Sequence, residues 1–207
     1  PTCEIVSPAA GTAFNVIETV LLEGLVGDVD VGVEELAVTW VSNLDGVLGS
    51  GSPDDDGRTI LPIDTLRKDT HVITLQVEDE VGDRCTDFIT LTVGEPPEVV
   101  IELPEEGAVY AYGSPVTIRA TVSDGEDSPS SITTVWETAV DGIFAANTPD
   151  GTGVVEFEAE SLAPGPKTVM VTATDAGGLF STQLVCFIIN QLPSAPVVQI
   201  TNEFDSD

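Results

Sequence analysis

The sequence contains an internal repeat that runs through most of its length. Residues 36–49 recur at 131–145, and the match places Trp40 opposite Trp136, a shift of 96 residues between positions 40 and 136. Without any insertion, the same shift aligns prolines, glycines and aspartates along the chain: Pro8 with Pro104, Gly11 with Gly107, Asp28 with Asp124, Gly57 with Gly153, Asp79 with Asp175 and Pro97 with Pro193. A unit of that length exceeds the roughly 20 to 50 residues of a solenoid repeat and is typical of one complete small domain. The sequence therefore predicts two tandem copies of one module.

The repeat also predicts where the modules begin and end. Module 1 covers residues 1–94 and module 2 covers residues 95–191, with Pro96 and Pro97 favouring a semi-rigid connection. We expect residues 192–207 to be a linker followed by the truncated first strand of a third module, because residues 191–196 resemble the first linker and residues 197–200 resemble residues 99–102. This pattern favours a segment of a longer array of modules.

Apolar residues alternate with period two in each copy, which is typical of half-buried strands. Turn signals divide copy one into strands near residues 3–6, 16–26, 36–42, 58–63, 70–78 and 85–93, and a shift of 96 gives the strands of copy two. Short strands separated by frequent turns predict an all-β chain of two tandem immunoglobulin-like antiparallel β-sandwiches. We expect Trp40 and Trp136 to fill the space between the two sheets of each sandwich.

The charge balance limits the possible partners. The chain has 36 acidic and 6 basic residues, for a net charge of −30. Such a surface repels phosphate backbones and anionic lipid, so we expect neither nucleic acid binding nor membrane insertion. Two explanations of the acidity remain open, namely cation binding and solubility in saline surroundings. The expected partners are neighbouring modules of the same parent chain and a surface glycan or protein ligand.

Two segments carry a family resemblance. Residues 40–49 (WVSNLDGVLG) and 71–82 (HVITLQVEDEVG) resemble bacterial immunoglobulin-like modules related to PKD and cadherin-like domains. The resemblance implies modules strung together in large secreted or cell-surface proteins. The WDFGDG run of strict PKD domains, the DxNDN linker of cadherins and a cysteine pair bracketing the tryptophan are missing, so the broad immunoglobulin-like sandwich is the expectation.

Sequence motifs argue against catalysis. His71 is the only histidine, and its counterpart in copy two is Lys167, so we expect a surface or corner residue there. The chain contains no GxSxG, HExxH, phosphate-loop or CxxC motif. These observations predict that the protein is not an enzyme.

Clustered carboxylates in two pairs of loops are candidate Ca²⁺ ligands, because Ca²⁺ is bound by about six to eight oxygen atoms that loops readily supply. The candidate ligands are Asp124, Glu126, Asp127 and Asp175 in module 2 and Asp28, Asp30 and Asp79 in module 1. Acidic loops are also expected by chance in so acidic a chain, and an aspartate often caps a hairpin turn. Both interpretations stay open, with Ca²⁺ as the only cofactor considered.

The cysteines predict one disulfide bond. Cys3 and Cys85 are replaced together in copy two by Val99 and Ser181, as expected if they are bonded to each other. Their strands begin at the same end of a sandwich, and a disulfide implies an oxidising, extracellular setting. We expect Cys186 to act as a small apolar residue in the last strand of module 2.

Three functions are consistent with these features. The first is a structural or adhesive stalk of a large secreted or cell-surface protein, which Ca²⁺ would stiffen if the acidic loops bind it. The second is a carbohydrate-binding accessory module of a secreted hydrolase, which needs exposed rings; the candidates are Phe14, Tyr110, Tyr112, Phe144 and Phe180, although the alignment of Tyr110 with Phe14 favours packing. The third is a subunit of an extracellular filament, in which residues 197–200 complete the sheet of a neighbour.

Overall fold

The computed structural model describes residues 1–160 and 162–191, which form two β-sandwiches. The predicted third-module strand, including residues 197–200, lies outside the described residues. In module 1 the strands are β1 (Thr2–Ser7), β2 (Thr12–Asn15), β3 (Val20–Gly27), β4 (Ala37–Ser42), β5 (Gly46–Gly51), β6 (Arg58–Ile63), β7 (Asp69–Glu78) and β8 (Arg84–Gly94). They form a three-stranded sheet in the order β1-β3-β6 and a five-stranded sheet in the order β2-β8-β7-β4-β5. The fold class predicted from the sequence is confirmed.

Module 2 repeats this arrangement strand for strand. Its strands are β9 (Glu98–Leu103), β10 (Val109–Ala111), β11 (Val116–Ser123), β12 (Thr133–Thr138), β13 (Gly142–Asn147), β14 (Val154–Ala159), β15 (Gly165–Thr174) and β16 (Phe180–Asn190). The sheets have the orders β14-β11-β9 and β10-β16-β15-β12-β13. Apart from β10, each strand has the bounds of its counterpart shifted by 96 residues, so the sequence repeat is also a structural repeat.

Two details of the strand prediction are wrong. The strand predicted over residues 16–26 begins only at Val20, because residues 16–19 carry the chain from β2, which was not predicted, to β3 in the other sheet. The Asn15 side chain accepts the Ile17 amide at 3.2 Å, and Glu18 accepts the Asn15 amide at 3.0 Å. Strand β5 was not predicted because its sequence, GVLGSG, is rich in residues that disfavour strands.

Both tryptophans lie between the sheets. Trp40 is 2% exposed and Trp136 is fully buried. The indole N–H of Trp40 donates to Thr59 Oγ1 at 3.3 Å, and that of Trp136 donates to Thr134 Oγ1 at 3.2 Å. Each ring therefore fills its core without leaving a buried donor unpaired.

The two modules connect their sheets differently at the end where β1 and β9 begin. In module 1 a disulfide joins Cys3 on β1 to Cys85 on β8. In module 2 Val99 is buried in the core, and Ser181 donates a hydrogen bond to the carbonyl of Pro97. Cys186 lies in the last strand as predicted, but its side chain is exposed on the outer side of the sheet.

The prediction that His71 is a surface or corner residue is wrong, and its counterpart Lys167 is buried as well. His71 is fully buried and Lys167 is 3% exposed. His71 lies on β7 and Lys167 lies on β15. Each is an even number of residues from the core residues that follow, such as Ile73 in module 1, and so it points to the same side of its strand. The strand period therefore turns these polar side chains inward, where each has polar partners.

Candidate functional site

The strongest candidate site is the joint between the modules. We define the joint as Lys68 and residues 92–94 of module 1, the linker 95–97, and residues 124–127 and 175–179 of module 2. These segments border a cleft of about 540 Å³. The last residues of β8 and the linker carry the chain directly into module 2, since Val93, Gly94 and Pro97 are all buried.

Lys68 connects the two modules by ion pairs. Its ammonium group lies 2.7 Å from Glu95 Oε1 and 2.8 Å from Glu126 Oε1. Glu126 also accepts the backbone N–H of Glu95 through Oε2 at 3.0 Å. The hydrogen bonds to Glu126 and Glu95 raise the pKa of Lys68, and the Lys68 bond lowers the pKa of Glu126. A cation of module 1 thus neutralises carboxylates of the linker and of module 2.

At two glycines of the joint, the backbone of one module also lies close to side chains of the other. A Cβ atom on Gly94 would lie 3.1 Å from a methyl group of Leu179 and 3.5 Å from Glu126 Oε2. On the other side, a Cβ atom on Gly177 would lie 3.2 Å from the Thr92 methyl group. Glycine at both positions allows residues 92–94 and 177–179 to pack at van der Waals distance.

The module 2 carboxylates predicted to bind Ca²⁺ come together at this joint, where they accept backbone amides. Asp124 Oδ1 accepts the N–H groups of Glu126 at 2.7 Å and Asp127 at 2.8 Å. Asp127 Oδ2 accepts the Ala176 amide at 3.3 Å, and Asp175 Oδ1 accepts the Leu179 amide at 2.8 Å. Most of these oxygens therefore shape loops, as aspartates in turns commonly do.

Two features of this carboxylate cluster are electrostatically unfavourable. Asp124 Oδ2 is buried and, among the described residues, has no hydrogen-bond partner. Burial raises the pKa of Asp175 above its usual value, and the charges of Asp124 and Asp127 raise it further. Backbone amides offset this effect only in part.

The described residues contain no group of three or more His, Cys, Asp or Glu side chains arranged to hold a metal ion. At the joint, Lys68 and backbone amides occupy oxygens that a Ca²⁺ ion would need. The carboxylates as arranged fit loop capping better than a ligand set, and Ca²⁺ binding stays a prediction.

The module 1 candidates lie at the opposite end of that module. Asp28 Oδ2 lies 2.8 Å from the Pro1 amino group, and Asp28 Oδ1 accepts the Asp30 amide at 3.0 Å. A side-chain hydrogen bond between these two aspartates lowers the pKa of Asp28 and raises that of Asp30. Asp79 Oδ1 accepts the amides of Val81 and Asp83 at 3.0 and 2.8 Å. These residues likewise serve their own loops.

A polar cluster inside module 1 was missed from the sequence. His71 Nδ1 lies 2.8 Å from Ser42 Oγ, and His71 Nε2 lies 2.8 Å from the carbonyl of Arg67. The Ser42 hydroxyl also accepts the amides of Leu44 and Asp45. Because the imidazole is fully buried and both ring nitrogens have partners, this pair of serine and histidine holds a loop and is closed to a substrate.

Module 2 has a cation at the equivalent place. Lys167 Nζ donates to Asp141 Oδ2 at 2.7 Å, and Thr138 donates to the same oxygen at 2.8 Å. Burial alone would raise the pKa of Asp141, but the bonds from Lys167, Thr138 and the Ala163 amide lower it below its usual value. Both clusters could have been predicted from a polar residue at an inward-facing position of a predicted strand.

The aromatic candidates divide into two groups. Phe14, Tyr110 and Phe144 pack against the cores, whereas Phe180 is 63% exposed and Tyr112 is 49% exposed. Phe88, which the sequence did not single out, is 67% exposed. The exposed rings of Phe88 and Phe180 occupy outward positions of β8 and β16.

Comparison with known proteins establishes the fold class. No protein-family model and no curated protein matches the sequence. Fibronectin(III)-like modules of CbhA from Clostridium thermocellum are 16% identical over 92% of this chain and 95% of theirs, with a TM-score of 0.55. A titin I-band fragment, I67-I69, is 12% identical over 91% of this chain and 66% of its own, with a TM-score of 0.47.

The likeness to the CbhA modules is one of fold, and it assigns the chain to the tandem immunoglobulin-like or fibronectin III-like β-sandwiches. The finer resemblance to PKD and cadherin-like modules stays a prediction. Within the described residues, no helix has the length and apolar character needed to cross a membrane.

Proposed function

We propose that this chain is a non-enzymatic structural spacer of a secreted or cell-surface protein, in which two modules are held in a defined orientation. The observation that carries the proposal is the Lys68 bridge, which links module 1 to Glu95 of the linker and Glu126 of module 2. A spacer with a defined joint projects whatever it carries in one direction, whereas a loose tether does not.

The cations of the chain support this interpretation. The chain has only 6 basic residues against 36 acidic ones, and all six form ion pairs. Five of them pair within their own module. Lys68 alone pairs across the joint, where the carboxylates of residues 124–127 and 175 would otherwise repel one another at close range. Its positive charge therefore reduces the repulsion between carboxylates where the two acidic modules meet.

The joint combines this bridge with two further restraints. Pro96 and Pro97 limit the backbone freedom of the linker, and the modules approach closely at Gly94 and Gly177. Lys68 is partly exposed, so we expect the bridge to weaken with salt, while the steric restraints persist. Module orientation should therefore depend moderately on ionic strength.

The setting is inferred from the covalent chemistry. The Cys3–Cys85 disulfide supports an oxidising compartment outside the cytosol. The strongly negative surface supports solubility and discourages contact with polyanions. Together these features support the extracellular stalk predicted from the sequence.

The proposal is tested by small-angle X-ray scattering on matched variants. Lys68→Gln removes the bridge, and Arg84→Gln removes the same charge from an ion pair with Glu78 at the far end of module 1. We expect Lys68→Gln to broaden the distribution of module orientations and Arg84→Gln to leave it unchanged. A wild-type profile that already requires freely rotating modules would overturn the proposal.

The second candidate is a glycan-binding accessory module, favoured by the exposed rings of Phe180 and Tyr112. Aromatic side chains of this kind stack on sugar rings. A glycan array is the direct test: binding that is lost in Phe180→Ala and Tyr112→Ala would favour this function, and the absence of any bound glycan would exclude it for the tested sugars.

A further inference from the structure

The outward side of the five-stranded sheet of module 2 is almost free of charge. We call the outward residues of β10, β16, β15, β12 and β13 the five-strand face of module 2. Strand residues alternate between core and solvent, which places Phe180, Thr182, Leu184, Cys186 and Ile188 of β16 on this face. Among the outward residues of its five strands, all within the described part of the chain, only Glu137 is charged. In a chain with a net charge of −30, this is an exceptional surface.

The face is also apolar. Its large apolar side chains are Val109, Ile143, Met170, Phe180, Leu184 and Ile188, and five of them are 40% to 66% exposed. Val109 pairs with Ile188, and Leu184 pairs with Met170, so these side chains adjoin one another across the strands. Exposed apolar side chains that are grouped on one face mark an interaction site more often than isolated apolar residues do.

The opposite sheet of module 2 shows that the lack of charge is local. Its outward residues include Glu102, Arg119, Glu156 and Glu158, with Arg119 2.7 Å from Glu102 and 2.5 Å from Glu156. At the edge of the five-strand face, Glu106 accepts the backbone amide of Cys186 at 2.9 Å. The charges of module 2 therefore surround the five-strand face, and Glu137 is the one charged residue among the outward residues of its strands.

We infer that the five-strand face of module 2 binds the same face of a second copy of this chain. Two copies that each carry −30 repel one another wherever acidic surfaces meet, and they repel least where neither copy presents charge. A cationic partner would find its complement on the acidic surfaces instead. Apolar burial then provides the attraction. This inference is independent of the proposed spacer function.

The size of the face predicts the strength of the contact. The five strands have 3 to 11 residues each, and at about 3.3 Å per residue and about 4.8 Å between strands they present roughly 600 Å². A stable dimer buries about 800 Å² per partner, so this contact belongs to the weak class. We expect a dissociation constant on the order of 100 μM for the two-module chain. In an array of modules, effective concentration would strengthen the same contact.

A two-fold axis fixes the register. In a two-fold interface a residue on the axis meets its own copy, and we place the axis at Cys186 because its neighbours on this face along β16, Leu184 and Ile188, are both apolar. Two Cys186 thiols should then come within bonding distance. This exposed cysteine is a natural probe of the interface.

Sedimentation velocity from about 10 μM to about 1 mM tests the dimer, since this range spans the expected dissociation constant. We expect the average mass to rise with concentration, Leu184→Glu to abolish the rise, and Glu137→Gln to tighten the dimer severalfold at low salt. The matched control is Phe88→Glu, at the counterpart of Leu184 in module 1, which adds the same charge and should leave the dimer intact. Tryptophan fluorescence verifies that each variant is folded.

Cross-linking with oxidised glutathione tests the register. Two Cys186 thiols lose two protons and two electrons as their S–S bond forms, and one oxidised glutathione takes them up as its own S–S bond breaks to give two thiols. We expect covalent dimers from the wild type and far fewer from Leu184→Glu.

Three outcomes would overturn the inference. These are a wild type that stays monomeric at about 1 mM, well above the expected dissociation constant, equal loss of the dimer in Leu184→Glu and Phe88→Glu, or a monomer in which a neutral oligosaccharide such as cellohexaose shifts the NMR signals of β16. The last result would assign the face to a glycan.

Discussion

The two modules share one fold but present opposite apolar sheets to solvent. In module 1 the outer side of the three-stranded sheet has five apolar residues beside Glu4, Glu23 and Arg58. In module 2 the apolar positions are all charged or hydroxylated: Val6, Leu21, Leu25, Ile60 and Pro62 correspond to Glu102, Thr117, Thr121, Glu156 and Glu158. In the five-stranded sheet the change runs the other way, and Ala13, Thr74, Arg84 and Thr92 correspond to Val109, Met170, Phe180 and Ile188.

This contrast shows which strand positions the fold constrains and which positions it leaves free to vary. Inward positions stay apolar in both copies because each core must be filled. Outward positions are free of that demand, so each copy has its own surface. The joint then holds two differently surfaced modules against each other.

The tryptophans test whether the modules fold separately. Trp136→Ala should cost module 2 about 3–5 kcal/mol, because it empties the centre of that core. We expect thermal unfolding to split into two transitions, with module 1 nearly unchanged. Trp40→Ala is the matched control and should affect module 1 instead. A single cooperative loss of both modules in either variant would contradict separate cores.

The disulfide is the largest covalent difference between the copies. It closes a loop with a sequence separation of 82, and removing it should lower the stability of module 1 by roughly 4 kcal/mol in the chain-entropy description. Differential scanning calorimetry of Cys3→Ala/Cys85→Ala measures this loss. Module 2, which uses Val99 and Ser181 instead, should keep its transition; an equal fall in both would show that the modules unfold together.

The buried cation Lys167 should make the stability of module 2 depend on pH. Lys167→Met leaves Asp141 without its partner and should cost module 2 about 2–3 kcal/mol, less than for a fully buried pair because Asp141 is partly exposed. The folded pKa of Asp141 is lowered, so its contribution is present above the unfolded value near 4 and is lost as pH falls through the folded pKa.

Acid titration of the wild type and of Lys167→Met therefore measures whether the stability difference between them falls as the pH falls. The wild-type advantage over Lys167→Met should be full at pH 7, should begin to fall near pH 4, where unfolded aspartate becomes protonated, and should be lost as pH falls through the folded pKa. An advantage that does not fall at all on acidification would show that Lys167 acts through packing alone. Module 1, which has His71 at this position, serves as the internal reference.

Asp175 should have the opposite effect on stability. Its raised folded pKa means that its contribution is fully present below the unfolded value and is lost as pH rises through the folded pKa. At pH 7 the ionised group is destabilising, so Asp175→Asn should raise the melting temperature of module 2 by about a few degrees. Asn retains an oxygen for the Leu179 amide. Asp79→Asn is the counterpart in module 1, and an equal rise there would argue against an effect of the joint cluster.

Calcium provides the smallest expected effect. If Lys68 and backbone amides already satisfy the joint carboxylates, millimolar Ca²⁺ should leave the melting temperature of module 2 unchanged relative to a chelator. A rise that disappears in Asp124→Ala or Asp175→Ala would instead support the Ca²⁺ site predicted from the sequence, because a ligand that binds only the folded state stabilises it.

The sequence was sufficient for features that the repeat itself displays. Fold class follows from period-two alternation, and pairing Cys3 with Cys85 follows from their joint replacement in copy two. The burial of His71 and Lys167 was missed because polar side chains usually face solvent. The role of Lys68 was also missed, since nothing local indicates that the loop before β7 faces the next module. Contacts between modules depend on how two folded surfaces meet. The alternation of apolar residues along the sequence carries no information about those contacts.

A defined joint is tested most directly by residual dipolar couplings measured separately for the two modules of the wild-type chain. If the Lys68 bridge and the glycine contacts hold the modules together, both sets of couplings should fit one alignment tensor of the same magnitude and orientation. Lys68→Gln should then make the tensors diverge. Two unrelated tensors in the wild type would mean that the modules reorient independently, and the chain would be a flexible tether instead of an oriented spacer.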